Sequence, residues 1–133
     1  MSCPYFFPVE MRGGSATLPL GESWSGTCHA MPGDFEPDDA ALRQCCNLGY
    51  ARRVCPRFPA GDGPDAVRFA ISSHAGDIVS IYYVVERNHH PFAHGSMACS
   101  LSTGQWSGTM IDHTLQRQVQ AYLESYLRRK KEH

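Results

Sequence analysis

The sequence predicts an α+β fold in one domain, residues 1–133. Its first half, residues 1–65, holds five of the six cysteines, eight of the nine prolines and eight of the twelve glycines, with little regular hydrophobic pattern. Its second half, residues 66–133, shows the alternation of strands followed by the apolar stripe of a helix. We therefore expect an irregular Cys/Pro/Gly-rich N-terminal half with one short helix, then a three-stranded antiparallel meander and a C-terminal helix packed on the sheet.

Residues 1–36 are predicted to form one long irregular segment of a cysteine-rich, metal-binding half. Turn residues recur throughout the segment. Irregular stretches beyond about 12–15 residues are uncommon in compact domains unless they are functional or disordered. This stretch is rich in aromatic and leucine side chains, which disordered segments lack. A metal or a cross-link would explain how it is held together.

One short helix is predicted between Pro37 and Gly49. Proline suits a first helical position, and the two aspartates that follow Pro37 suit the positive end of the helix dipole. Gly49 is a plausible C-terminal stop. This prediction places the adjacent pair Cys45-Cys46 in the last turn of the helix.

Three antiparallel strands are predicted in the second half. Apolar and polar residues alternate over 67–72, which is typical of a half-buried strand. After a tight turn at 74–77, the segment Ile78–Arg87 is rich in β-branched and aromatic residues, and we expect it to be the central strand. The third strand is predicted at 96–101, with Cys99 in the core.

A C-terminal helix is predicted after Trp106–Gly108. Thr109 and Asp112 resemble a capping box, in which Thr109 would be the N-cap. Apolar residues follow at helical spacing and should pack across one face of the sheet. This stripe comprises Ile111, Leu115, Val119, Tyr122, Leu123, Tyr126 and Leu127.

Four cysteines are predicted to ligate a metal centre: Cys3, Cys28, Cys46 and Cys55. Thiolates are soft ligands, and four of them suit either a [4Fe–4S] cluster or a tetrahedral zinc ion. The four are separated by 24, 17 and 8 residues, without the close pairs that structural zinc sites usually carry. Cys3 and Cys55 are each followed by proline, as in the cluster-binding run of bacterial ferredoxins. The sequence therefore favours an iron–sulfur cluster, with zinc as the alternative.

Other interpretations of the cysteines stay open. They could form disulfides or take part in thiol redox chemistry, or they could be plain buried thiols that pack like small hydrophobic residues. Sequence alone does not fix whether Cys46 or the neighbouring Cys45 is the ligand. The adjacent pair could also form a strained vicinal disulfide.

Three segments carry a local resemblance to a known family: Cys3-Pro4-Tyr5-Phe6-Phe7, Cys46-Asn47-Leu48-Gly49-Tyr50, and Cys55. Together they resemble the split cysteine pattern of RecB-like iron–sulfur nucleases. In that family an early Cys-Pro-aromatic segment joins later cysteines around a tyrosine to hold a [4Fe–4S] cluster. The resemblance implies a cluster; the spacing and Cys28 depart from the family pattern, and its acid-acid-lysine nuclease set has no counterpart here.

Two further groups of polar residues are candidates for function. The first comprises His89, His90 and His94, which could bind a transition metal or tune a nearby cluster, although a polar hairpin loop is the more frequent arrangement. The second comprises Arg52, Arg53 and Arg57, which could stabilise a reduced cluster, dock an acidic partner or form a solvated face.

These observations predict a small iron–sulfur protein that carries electrons or senses redox state, working with a protein redox partner. The alternative is a zinc- or thiol-stapled protein-interaction module without catalytic activity. No reaction or substrate follows from the sequence. Edge strands of so small a meander would also allow a homodimer.

Charge and hydropathy limit the kinds of partner and the cellular compartment that we expect for this protein. The net charge of −1 gives no strong field that would attract nucleic acid. No apolar run is long enough for a membrane span, and no secretory signal is recognisable. We therefore expect a cytoplasmic protein, where clustered cysteines are more often metal ligands or redox centres than structural disulfides.

Overall fold

A computed structural model describes most of the chain: residues 2–13, 19–20, 23–30, 33, 35–52, 54–59, 63–109 and 111–131. The elements in chain order are β1 Phe6–Gly13, β2 Ser23–Cys28, α1 Asp39–Ala41, a π-helical turn Leu42–Cys46, β3 Ala66–Ala75, β4 Ile78–Arg87, β5 His90–Ser100, β6 Trp106–Gly108 and α2 His113–Lys131. Among these residues, no helix combines the length and apolarity that crossing a membrane requires.

Two antiparallel sheets make up most of the architecture. Strands β1 and β2 form one sheet, and the order β3-β4-β5-β6 forms the other. The predicted fold class is therefore wrong, because the N-terminal half contains a sheet and the C-terminal sheet has four strands instead of three.

The hairpin β1–β2 escaped prediction because its residues weaken the usual strand signals. Pro8 lies inside β1, next to one of two register shifts in the pairing. A Cβ atom at Gly26 would lie 2.0 Å from the carbonyl oxygen of Phe7, so the close approach of the two strands requires glycine there. Proline and glycine inside a strand are typical of edges and bulges.

The second sheet follows the predicted order but extends further. Strand β4 occupies the predicted range Ile78–Arg87 and pairs with β3 and β5 on its two sides. Strand β5 begins at His90, so a two-residue turn replaces the longer break that was expected. The segment Trp106–Gly108 was expected to lead into the helix, but it forms β6 and pairs with β5.

Helix α2 begins one turn later than its predicted cap. The backbone amide of Leu115 donates to Oδ1 of Asp112 at 2.8 Å. Asp112 is therefore the N-cap itself, and the predicted role of Thr109 as N-cap is wrong. The short N-terminal helix also begins later than expected, because its N-cap is Asp38 and Pro37 therefore precedes the helix instead of taking its first position.

Two sides of α2 are buried. One side packs Val119 and Leu123 against Val79, Ile81 and Cys99 of the four-stranded sheet, which confirms the predicted stripe and the core position of Cys99. The other side faces the N-terminal layer through a second set of buried residues. This set comprises Gln118, Ala121 and Ser125. The helix therefore lies between the sheet and the cysteine-rich layer.

Candidate metal centre

Five cysteines line one small cavity in the N-terminal layer, with a volume of about 20 Å³. They are Cys3, Cys28, Cys45, Cys46 and Cys55. The remaining wall is mostly aromatic and apolar, formed by Tyr5, Phe6, Ala30, Phe58 and the side chain of Arg57. The structure thus brings together the four cysteines predicted from the sequence and adds Cys45 to them.

Buried hydrogen bonds to helix α2 position Cys3. The side-chain amide of Gln118 donates to the carbonyl oxygens of Cys3 and Phe6, both at 2.7 Å. Its Oε1 accepts a hydrogen bond from the hydroxyl of Ser2 at 2.8 Å. The backbone amide of Cys3 also donates to the carbonyl of Cys46 at 3.1 Å, which places these two cysteines side by side.

The π-helical turn positions Cys45 and Cys46. It follows α1, whose first turn is capped by Asp38. At its end, Nδ2 of Asn47 donates to the carbonyls of Leu42 and Trp24, and Oδ1 accepts from the Trp24 amide at 3.1 Å. These three bonds fasten the turn to β2. Both cysteines are buried in this turn, and π-helical turns are frequent at functional sites.

Cys28 and Cys55 complete the cavity from two other segments, and both are half-buried. Cys28 ends β2, and its amide donates to the carbonyl of Phe35 at 2.7 Å. The amide of Cys55 donates to the carbonyl of Ala51 at 2.8 Å, and its own carbonyl accepts from Phe58. Four separate stretches of backbone therefore meet at the cavity.

Burial and neighbouring cysteines raise the pKa of Cys3, Cys45 and Cys46, so these three thiols stay protonated at neutral pH. Burial raises the pKa of Cys3 to about 12, with smaller contributions from Cys28, Cys55 and Cys45. Burial also raises the pKa of Cys46, and the other four cysteines each add to the effect. The pKa of Cys45 is raised by burial and then by Cys55. A metal cation would replace these protons and remove the repulsion between thiolates.

Arg57 contributes a buried donor beside the thiols. Its guanidinium carbon lies 3.8 Å from the centroid of the Phe35 ring. Among the described residues, none accepts a hydrogen bond from its buried Nε. An unpaired buried donor is unfavourable, so the position suits an acceptor inside the cavity. Arg52 instead binds Asp65 at 2.7 Å, and Arg53 lies outside the described residues.

The thiols surround the cavity without forming a ready site for a single ion. In the described part of the chain, no group of three or more His, Cys, Asp or Glu side chains is arranged to hold a metal ion.

The structure does not bring the three predicted histidines together. His89 stacks on Tyr50 with ring centroids 4.4 Å apart. His90 pairs with Arg87 at the start of β5, and His94 lies against Tyr82 at 6.0 Å. None of the three lines the cavity of the cysteines.

Sequence reasoning missed the two amides that hold the cysteine-bearing segments, Gln118 and Asn47. The available signal was a set of small and polar residues on α2, spaced so that they share a side of the helix next to the apolar stripe. Small side chains such as Ala121 let a second layer approach the helix closely. Asn47 directly follows a candidate ligand, but nothing in the sequence shows that it reaches across to β2.

No protein-family model matches the chain, and no curated protein and no solved structure shows significant similarity to it. Function is therefore inferred from the chemistry of the cavity and its walls.

Proposed function

We propose that this protein binds a [4Fe–4S] cluster through Cys3, Cys28, Cys46 and Cys55 and uses it to carry electrons or to sense redox state. The observation that carries this proposal is the gathering of thiols from four separate backbone stretches around one cavity. Four cysteine thiolates are the usual ligand set of such a cluster.

Plain buried thiols would not explain this arrangement well. Free cysteines often fill apolar cores, as Cys99 does between β5 and α2. Three thiols whose pKa is raised by burial and by neighbouring cysteines, together with a guanidinium donor that has no acceptor among the described residues, are an unfavourable way to fill a core. A positively charged centre with sulfide acceptors would relieve both costs.

The spacing of the four cysteines favours a cluster over zinc, because it lacks the close pairs that structural zinc sites usually carry. A zinc ion holds its sulfur ligands about 2.3 Å from one point. In a [4Fe–4S] cluster each thiolate binds a different iron, so the ligands enclose a larger volume. Thiols that reach the cavity from four separate backbone stretches, without three of the described side chains converging on one ion, suit the second arrangement.

Cys46 is the better fourth ligand of the adjacent pair. Each of the other four cysteines raises its pKa, which indicates a central position among them. The pKa of Cys45 is raised first by burial and then by Cys55 alone. Arg57 would donate its unpaired Nε to a ligand or sulfide sulfur and favour the more negative, reduced cluster.

The direct test is the metal and acid-labile sulfide content of anaerobically purified protein, together with its visible spectrum. We expect about four irons and four sulfides per chain and broad absorbance near ~400 nm. Cys55→Ser should lose iron and colour. Cys99→Ser is the matched control, because it removes a buried thiol far from the proposed ligands and should keep both.

A colourless protein without iron would contradict the proposal. One zinc ion per chain would instead support the interaction module stapled by zinc. If the cluster is present, electron transfer requires a protein redox partner, and the reducing cytoplasm is the compartment we propose. Anaerobic pull-down with tagged protein, compared between wild type and Cys55→Ser, would identify a partner that depends on the cluster.

A further inference from the structure

Cys45 is the fifth thiol of the cavity, and the proposed cluster does not need it. Cys45 and Cys55 line the same cavity, and after burial Cys55 is the main cause of the raised pKa of Cys45. The backbone fixes both residues, since the amide of Gly49 donates to the carbonyl of Cys45 at 2.9 Å and Cys55 donates to Ala51. The spare thiol is therefore held beside a proposed ligand.

We propose that Cys45 and Cys55 form a reversible disulfide when the protein meets a hydroperoxide, and that this bond removes Cys55 from the cluster. The second part rests on the proposed function. The first part concerns the two thiols alone and can be tested on the metal-free chain.

Accessibility assigns different roles to the two sulfurs. Cys55 is half-buried and lies between Val54 and Pro56, which are both exposed, so an oxidant can reach it. Cys45 is only 5% exposed and is shielded from direct attack. An accessible cysteine with a resolving thiol beside it is the usual arrangement of a redox sensor.

The chemistry balances with hydrogen peroxide as the oxidant. The Cys55 sulfur attacks one peroxide oxygen, the O–O bond breaks, and the products are a sulfenic acid on Cys55 and one water. The sulfur of Cys45 then attacks the Cys55 sulfur, the S–O bond breaks, and a second water leaves with the Cys45 proton. Two thiols are oxidised to one disulfide, and the peroxide is reduced to two waters.

Other pairs in the cavity fit this chemistry less well. Cys3 and Cys46 adjoin through a backbone hydrogen bond, but both are buried away from an oxidant. A vicinal bond between Cys45 and Cys46 would be strained. Cys28 is also half-buried, but it is not among the groups that raise the pKa of Cys45, whereas Cys55 is. The Cys45–Cys55 pair therefore joins one accessible thiol to the buried thiol beside it.

The test is peptide mapping of metal-free full-length protein after treatment with one equivalent of hydrogen peroxide and alkylation of the remaining thiols. Trypsin should leave Cys45 and Cys46 together in peptide 44–52 and Cys55 in peptide 54–57. We expect a disulfide between these peptides in wild type, Cys46→Ser and Cys99→Ser, with loss in Cys45→Ser. Dithiothreitol should reverse it. An undiminished cross-link in Cys45→Ser, or a cross-link that requires Cys46 or Cys3, overturns the proposal.

A second measurement uses the cluster-loaded protein and does not depend on the peptide map. After peroxide bleaching, wild type and Cys99→Ser should regain their visible absorbance when dithiothreitol, iron and sulfide are supplied. Cys45→Ser should recover less, because Cys55 without a resolving thiol is oxidised beyond the sulfenic state. Equal recovery overturns the protective role of Cys45. A chain that forms the disulfide but never binds iron contradicts the proposed function and supports the thiol pair.

Discussion

Replacing Gln118 with alanine should destabilise the protein strongly, because this side chain ties the Cys3 segment to α2. Gln118 is fully buried. Its amide donates to the carbonyls of Cys3 and Phe6 at 2.7 Å, and its Oε1 accepts from Ser2. The substitution to alanine removes all three hydrogen bonds, and solvent cannot replace them in a closed interior. The perturbation therefore acts where the helix meets the cysteine-rich layer.

The expected loss follows from the groups left without a partner. The carbonyl of Phe6 loses the donor from Gln118, at about 1–3 kcal/mol, whereas the carbonyl of Cys3 keeps the backbone amide of Phe6 as a donor and loses one bond worth about 0.5–1.5 kcal/mol. The hydroxyl of Ser2 keeps a hydrogen bond to the carbonyl of Val67, so it adds little. The sum is about 1.5–4.5 kcal/mol, against a total free energy of unfolding of about 5–15 kcal/mol for a domain. For a chain of this size, Tm should fall by about 5–20 °C.

Urea unfolding and calorimetry of the metal-free protein measure this loss directly. Gln116→Ala is the matched control, because Gln116 lies two residues away on the same helix and is only half-buried. It should change the free energy of unfolding by about 0.5 kcal/mol or less. A loss below about 1 kcal/mol in Gln118→Ala would refute the reasoning that these hydrogen bonds fix the Cys3 segment.

Three further predictions concern the cavity. Arg57→Gln should lower the midpoint potential of the cluster, on the order of tens of millivolts, because a positive charge that favours the reduced state is removed. In anaerobic redox titration, Arg57→Lys should keep a potential close to that of wild type, and an unchanged potential in Arg57→Gln would exclude the contact between Arg57 and the cluster. In metal-free protein, burial raises the pKa of Cys3 from 9 to about 12, so the fold has its full stability below pH 9 and loses about 4 kcal/mol of it as pH rises toward 12. Urea titrations should therefore show that the difference in unfolding free energy between wild type and Cys3→Ser narrows over this range, and a constant difference would contradict the prediction. Removing iron with a chelator should lower Tm but leave the near-UV circular dichroism of the sheet-plus-helix half intact; a spectrum of an unfolded chain would contradict this expectation.

Periodicity made the second half of the fold predictable. Strand β4 and helix α2 are long enough to repeat their patterns several times, and each was placed from the apolar spacing. Strand β6 has only three residues, too few to show a period. In β1 and β2, Pro8 and Gly26 carry the signature of an irregular segment. In the structure Pro8 lies beside a bulge and Gly26 lets the two strands approach closely, and both features become visible only once the pairing of β1 with β2 is known.

The chemistry of the candidate site was predictable from the sequence, but the residues and turns that position its cysteines were not. Five clustered cysteines in one half of the sequence indicated a shared environment, and the structure brings all five to one cavity. The choice within the pair Cys45-Cys46 depended on the shape of the turn. A regular helix would rotate neighbouring residues well apart, whereas here both side chains reach the cavity from a π-helical turn. Sequence spacing cannot reveal such a local widening.

The position of the thiols in the core decides how metal binding relates to folding. Cys3 and Cys46 pack in one apolar cluster with Phe6, Trp24 and Leu42. Their raised pKa values keep them neutral when no metal is bound, and a neutral thiol packs like a small apolar side chain. The metal-free layer thus retains a core, unlike zinc fingers, which are unfolded without their ion. Cluster loss would then change the chemistry of the cavity while the surrounding sheets and helix persist, which is the behaviour required of a reversible redox sensor.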